Sequence, residues 1–237
     1  GRASRAWARN NLCEQPRRND NLAALDAALV FNPSDDSKLY VRETRFYRNP
    51  FLDEVPGRYD AGYNWVNTRI LAPETGWTPE IGANWNPTEE LSVGADAYVT
   101  RLSDEIFYNA VACNNENCDY PTWRRGLDAH VAWEREKIAA LSVAASCVKA
   151  TFDGGAFDGN LTPLVPETTV SVNGRIWLWD ECSVFGGYRY QGSMYSCSDF
   201  SNEFDRLAWY GIFHLGVTYE PTSVSWLEGF KFSAAAD

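Results

Sequence analysis

Residues 170–179 read VSVNGRIWLW. Val170, Val172, Ile176 and Leu178 share one parity, and Ser171, Asn173, Arg175 and Trp177 share the other. A helix would scatter these two sets around its axis, whereas a strand sends alternate residues to opposite faces, so the stretch reads as β. Leu91–Thr100 repeats the pattern, with Leu91, Val93, Ala95, Ala97 and Val99 opposite Ser92, Gly94, Asp96, Tyr98 and Thr100. Leu127–Trp133 sets Leu127, Ala129, Val131 and Trp133 against Asp128, His130 and Ala132, and Gly211–Tyr219 sets Phe213, Leu215, Val217 and Tyr219 against His214, Gly216 and Thr218. Six further segments, near 22–31, 38–49, 76–86, 138–152, 183–194 and 226–236, bring the expected count to ten.

The connectors alternate in length. Short ones fall at 32–37 (NPSDDS), 86–90 (NPTEE), around Glu136, around Glu181 and at 220–224 (EPTSV), and carry the Pro, Asn, Asp and Ser that tight turns favour. Long ones fall at 50–75, 109–122, 153–166 and 195–204. Tight turns at one rim and long loops at the other are the plan of an outer-membrane barrel, with the turns periplasmic and the loops extracellular. The expected fold is therefore all-β: an antiparallel transmembrane β-barrel of about ten strands over 22–237, preceded by an irregular segment over 1–21. A soluble sandwich or lipocalin-like barrel also alternates, but sandwich strands are typically about five to six residues long, and several segments here exceed the roughly 9 to 11 residues that cross a bilayer.

Composition agrees. No run of eighteen apolar residues exists for a helical span. A mean hydropathy of -0.39 suits a wall in which only every second residue faces lipid. Phe, Tyr and Trp make up 14% of the chain, enough for aromatic girdles. The net charge of -11 argues against a nucleic-acid partner, which needs a basic surface. Residues 1–20 hold five arginines and no apolar core, so they are not a signal peptide; the expectation is a processed chain or an internal piece of a longer one.

Six cysteines, at 13, 113, 118, 147, 182 and 197, suit an oxidising compartment. Cys113 and Cys118 share one polar loop, where a small local disulfide or a pair of free thiols is expected rather than a metal site. A whole strand separates Cys182 from Cys197, roughly 40 Å at about 3.3 Å per residue, so those two are not expected to bond.

Catalytic chemistry finds little support. The two histidines, His130 and His214, both fall on inward parity, where hydrogen-bonded wall residues are the expectation. Inward Asp96, Asp128 and Glu80 are expected to pair with Arg42, Arg175 and Arg189. No G-x-S-x-G elbow occurs, and a carboxylate–His site using Asp128, His130 or His214 is the enzyme-class alternative. The chain is read as neither an enzyme nor the holder of a cofactor or metal. Ligand capture is better motivated: the 50–75 loop carries Arg58, Tyr59, Tyr63, Trp65 and Arg69, aromatic faces and guanidinium groups that can hold an anionic, aromatic chelate. Anchoring of the loop at the membrane interface is the alternative role for the same aromatics.

From Leu71 onward the residues resemble the C-terminal part of a TonB-dependent outer-membrane receptor barrel. LAPETGWTPEIGANWNPTEELSVGADAYVTRLSDEIFYN (71–109), RRGLDAHVAWE (124–134), LSVAASCVKATFDGG and PLVPETTVSVNGRIWL follow that family's segments in order and spacing. The resemblance implies a barrel of about 22 strands with a plugged lumen, in the outer membrane of a Gram-negative bacterium. It also implies uptake of a scarce nutrient such as a ferric siderophore, haem or cobalamin, energised by the TonB complex. On that expectation the present strands are part of a larger barrel, with the plug, the TonB box and a final strand beyond SAAAD lying outside them. The alternative is a self-closed ten-stranded barrel acting as a pore or adhesin, since an even strand count permits closure.

Overall fold

Period-two segments become strands because each gains a neighbouring segment to pair with. In chain order they are β1 (Arg2–Arg9), β2 (Arg17–Ser34), β3 (Ser37–Arg48), β4 (Gly57–Tyr59), β5 (Trp65–Asn67), β6 (Glu74–Thr88), β7 (Leu91–Ser103) and β8 (Ile106–Asn109). There follow β9 (Asn114–Asn117), β10 (Thr122–Arg135), β11 (Ala139–Phe152), β12 (Thr168–Trp179), β13 (Cys182–Gln191), β14 (Tyr210–Tyr219) and β15 (Phe232–Ala236). The structure, a computed structural model, describes residues 2–9, 17–51, 53–54, 57–59, 65–67, 70–111, 113–222 and 230–236, with the backbone alone for 2–9, 17–19, 57–59 and 65–67.

Eleven strands form one antiparallel meander, in the order β1, β2, β3, β6, β7, β10, β11, β12, β13, β14, β15, while β4–β5 and β8–β9 are small hairpins set into long loops. The expected irregular segment at 1–21 is corrected: Arg2–Arg9 pairs with Arg17–Ala24. RASRAWAR shows no clean alternation, and the extended β2 supplies the ladder that makes it a strand.

Register turns the strand faces into continuous rows. Val41 lies opposite Ile81, Ile81 opposite Ala97, Ala97 opposite Leu127 and Leu127 opposite Cys147. Nearer the short turns, Trp85, Val93, Val131, Val143, Val172, Tyr188 and Phe213 form another row. Val41, Ile81, Trp85, Leu127, Val131 and Phe213 in these rows are exposed, Phe213 by 70%, as is Leu29 opposite Val41, by 82%. In water each would forgo roughly 25 cal/mol per Å² of apolar burial; against lipid tails that area is already in an apolar solvent. Glu43 shares this face, with a regular register opposite Ala27 and Pro79, so no bulge turns it inward.

The opposite face is polar. Asp128 lies opposite Asp96, and His130 opposite Gly94. Small residues there make room for rings: a Cβ on Gly82 would stand 2.3 Å from Tyr40 Cζ, one on Gly126 2.2 Å from Tyr98 Cζ, and one on Gly216 2.4 Å from Phe185 Cζ. Most buried residues, among them Leu71, Ala72, Leu102, Ala150, Phe152, Thr122, Thr162 and Asp199, gather where the strands meet the long loops. The packed core of these residues is thus a cap at one end of the sheet.

Candidate functional site

The cap is built by four long loops that hydrogen-bond to one another. Arg48, at the end of β3, bridges Glu54 at 2.7 Å and Glu74 at 2.6 Å. Glu74 also accepts the backbone N–H of Ile106 at 2.8 Å, so a single buried carboxylate joins the first loop to the β8–β9 hairpin. That carboxylate, foremost, holds the Arg48 guanidinium above its ordinary pKa and keeps it charged. The Asn117 amide donates to the Ala72 carbonyl and accepts its N–H, and the Asn115 amide donates to Glu54 O, closing the same seam.

The other loops join from the far side. Ser198 donates to Tyr108 O at 2.5 Å and accepts from Ala110 N at 3.1 Å. The Asn160 amide reaches Phe200 O, Asn202 accepts the N–H and binds the carbonyl of Leu161, and Leu164 N–H donates to Tyr195 O. Beneath these contacts Phe107, Phe152, Phe157 and Phe200 form a ring cluster with centroids 5.6 to 5.9 Å apart. Tyr120 lies against Gly154 and Gly155, whose φ values of 118° and 70° suit glycine, and a Cβ on Gly155 would meet the ring at 2.3 Å. The cluster floors a cavity of about 750 Å³ whose rim carries Glu116, Asp119, Cys118 and Cys197. Burial pushes the Cys118 thiol up. The Cys113 thiol, foremost, raises the Tyr108 hydroxyl. Ring faces around acceptor groups suit a bulky amphipathic solute.

Of the residues expected to capture ligand, Arg58, Tyr59 and Trp65 have their backbone in a hairpin of the first long loop. Arg58 lies opposite Val66 and Tyr59 opposite Trp65 in the β4–β5 hairpin. The side chains of Arg58, Tyr59 and Trp65, and the whole of Tyr63 and Arg69, lie outside the described residues. Of the two outcomes expected for Cys113 and Cys118, a local ring or free thiols, the structure has the free thiols. The stretch between them is the extended strand Asn114–Asn117, about 10 Å from its first to its last Cα at roughly 3.3 Å per residue, a longer span than the Cα separation of a disulfide. The aromatic cluster escaped the sequence reading because three of its members come from three different loops and the fourth, Phe152, from the end of β11.

A second cavity, of about 870 Å³, lies along the polar face and includes both histidines with Asp128, Thr169, Ser171, Asn173 and Arg189. Three strands separate His130 from His214, about 19 Å at roughly 4.8 Å per strand, too far for the two to ligate one metal ion. Each instead lies over a glycine beside an asparagine: Asn84–Gly94–His130 and Asn173–Gly187–His214 are equivalent rows. The expected wall ion pairs form differently. Arg42 binds Asp26 at 2.5 Å, and Arg175 donates to Ser183 Oγ at 3.0 Å and stacks on Trp177 and Phe185. Each arginine reaches diagonally across the ladder, Arg42 to Asp26 past the directly opposed Ala28 and Arg175 to Ser183 past the directly opposed Phe185, and Asp96 faces Asp128 instead of a cation.

The sequence profile of the family described as "TonB dependent receptor-like, beta-barrel" matches residues 5–237. The chain belongs to that family. Its strands are accordingly part of the wall of a Gram-negative outer-membrane barrel, with the apolar face toward lipid and the polar face toward the lumen. Solved receptors share the fold. The copper transporter OprC superposes with a TM-score of 0.67 at 18% identity, over 92% of this chain and 33% of that one. The ferric yersiniabactin uptake receptor FyuA from Yersinia pestis gives 0.65 at 15%, over 86% and 30%. The siderophore receptor PiuA from Acinetobacter baumannii gives 0.64 at 15%, over 87% and 31%. This receptor barrel segment therefore spans about a third of the length of the structures it matches. No curated protein matches it in sequence.

Proposed function

We infer that these residues supply part of the wall and four cell-surface loops of a TonB-energised receptor importing a scarce nutrient: a ferric siderophore, haem or cobalamin. The observation that carries this reading is the hydrogen-bonded loop cap over an aromatic cavity at the long-loop end, coupled to family membership. A capture surface needs loops held in place before the ligand arrives, because ordering them on binding would cost affinity. Two of the solved relatives are named for ferric chelates or siderophores, which makes that chemical class the first to test. In this reading Tyr59, Tyr63 and Trp65 offer ring faces to the chelate, Arg58 and Arg69 neutralise its charge, and no covalent step occurs on the protein.

The test is accumulation of radiolabelled ferric siderophore, haem-iron or cobalamin by cells expressing the receptor, with and without collapse of the proton-motive force. Energised uptake of one class is expected. Exchanging both Tyr63→Ala and Trp65→Ala should weaken that ligand about tenfold, at roughly 0.5–1.5 kcal/mol per ring. No energised uptake of any class would refute the reading.

A further inference from the structure

The lipid-facing side carries one set of charges that transport does not use. At the long-loop end, Arg45 lies opposite Trp77, Trp77 opposite Arg101 and Arg101 opposite Trp123, forming one outward row. In the next row down Arg125 lies opposite Lys149. Ring contacts show that these residues share a face: Trp77 and Trp123 meet edge to face at 5.9 Å, and the guanidinium groups of Arg101 and Arg125 lie 5.9 and 5.6 Å from the Trp123 ring. Among the described residues, none of Arg45, Arg101, Arg125 and Lys149 forms an ion pair. The acids nearby are Glu43, beside Arg45 on the same face, and Asp153, which accepts the Trp123 indole N–H.

Height on the wall decides what meets this patch. From Trp133 to Trp123 is ten residues along β10. That is about 33 Å at roughly 3.3 Å per residue, and about 25 Å along the membrane normal at a strand tilt of ~40°. A hydrocarbon band is also about 25 Å tall, so the patch stands at its upper edge, where headgroup phosphates lie. At mid-band an arginine would cost about 2–4 kcal/mol, whereas at the interface cations are tolerated and attract anionic lipid. Guanidinium forks on indole faces present planar donors to phosphate oxygens, a geometry free ammonium groups lack.

From this we propose that Arg101, Arg125 and Lys149, with Arg45 and the Trp77–Trp123 pair, form a docking site for the phosphates of an anionic glycolipid in the outer leaflet. The bound lipid would seal the wall beneath the loop cap.

Native mass spectrometry of the detergent-purified receptor, titrated with a bis-phosphorylated glycolipid, tests this. The expected result is one retained lipid whose affinity falls about fivefold per cation removed, roughly 100-fold in R101Q/R125Q/K149Q. R101K/R125K, which keeps the charge, should fall between wild type and the triple variant. Resistance to SDS before heating shows that each variant is folded, and the single variants R101Q and R125Q serve if the triple variant is not. Unchanged lipid retention in folded variants would overturn the proposal. So would displacement of the lipid by millimolar inorganic phosphate, which would make the patch a site for the free ion.

Discussion

Tyr98 over Gly126 shows what single residues do in this wall. A side chain at 126 would occupy the ring's place, with a Cβ only 2.2 Å from Tyr98 Cζ. Gly126→Ala is therefore expected to lower stability by about 1–3 kcal/mol through overpacking. Adding Tyr98→Ala should recover part of that loss, measured as the temperature at which the folded barrel converts to its slow-migrating form on SDS gels. Cysteine reactivity offers a second residue-scale expectation. Burial raises the Cys118 pKa, so at pH 8 its thiolate fraction lies below that of an ordinary exposed cysteine. Maleimide should label it more slowly than exposed Cys113, the gap narrowing as pH rises through the Cys118 pKa; equal rates at pH 8 in peptide mapping would contradict this. Which residues face lumen or lipid was legible in the sequence, because parity within a strand is local information. Which residues touch was less so: Arg42 chose Asp26, and Arg175 chose a serine and two rings.

At the level of elements, nine of the ten expected strands begin and end within a few residues of where the sequence placed them, since turns rich in Pro, Asn and Asp mark strand ends. The tenth, 226–236, shares Phe232–Ala236 with β15, while 223–229 lie outside the described residues. Five strands were missed, the short hairpin strands β4, β5 and β8 in or beside the long connectors, and β1 and β9, which share one physical reason. RASRAWAR and NNEN carry no alternation of their own and are strands only because β2 and β8 offer unpaired backbone edges. The seams between loops were equally hidden, since they depend on which loops the barrel brings side by side. Glu74 gives a direct check of those seams. Glu74→Gln removes the charge that holds Arg48, and a hydrogen bond to a charged group contributes about 1.5–3 kcal/mol. The 49–73 loop should then become sensitive to brief trypsin treatment of intact cells, whereas a wild-type digestion pattern would show that the ion pair does not hold the loop.

At the scale of the whole molecule, the chain is a membrane wall with a polar lumen side, an apolar lipid side and its packed core in the loop cap. Since these 237 residues cover about 30% of related receptors, the polypeptide isolated from native outer membrane is expected to weigh about three times 26.7 kDa, and a mass near 26.7 kDa would instead favour a self-closed small barrel. The central claim is that the interlocked long loops form the cell-surface, ligand-facing end. The most direct test is labelling of intact cells with a membrane-impermeant maleimide, followed by peptide mapping, in the natural chain and in Asp36→Cys within the β2–β3 turn. Cys113 and Cys197 should label in intact cells, and the thiol introduced into the turn only after the outer membrane is permeabilised. Labelling of that turn thiol in intact cells, with Cys113 and Cys197 protected, would invert the barrel and contradict the account.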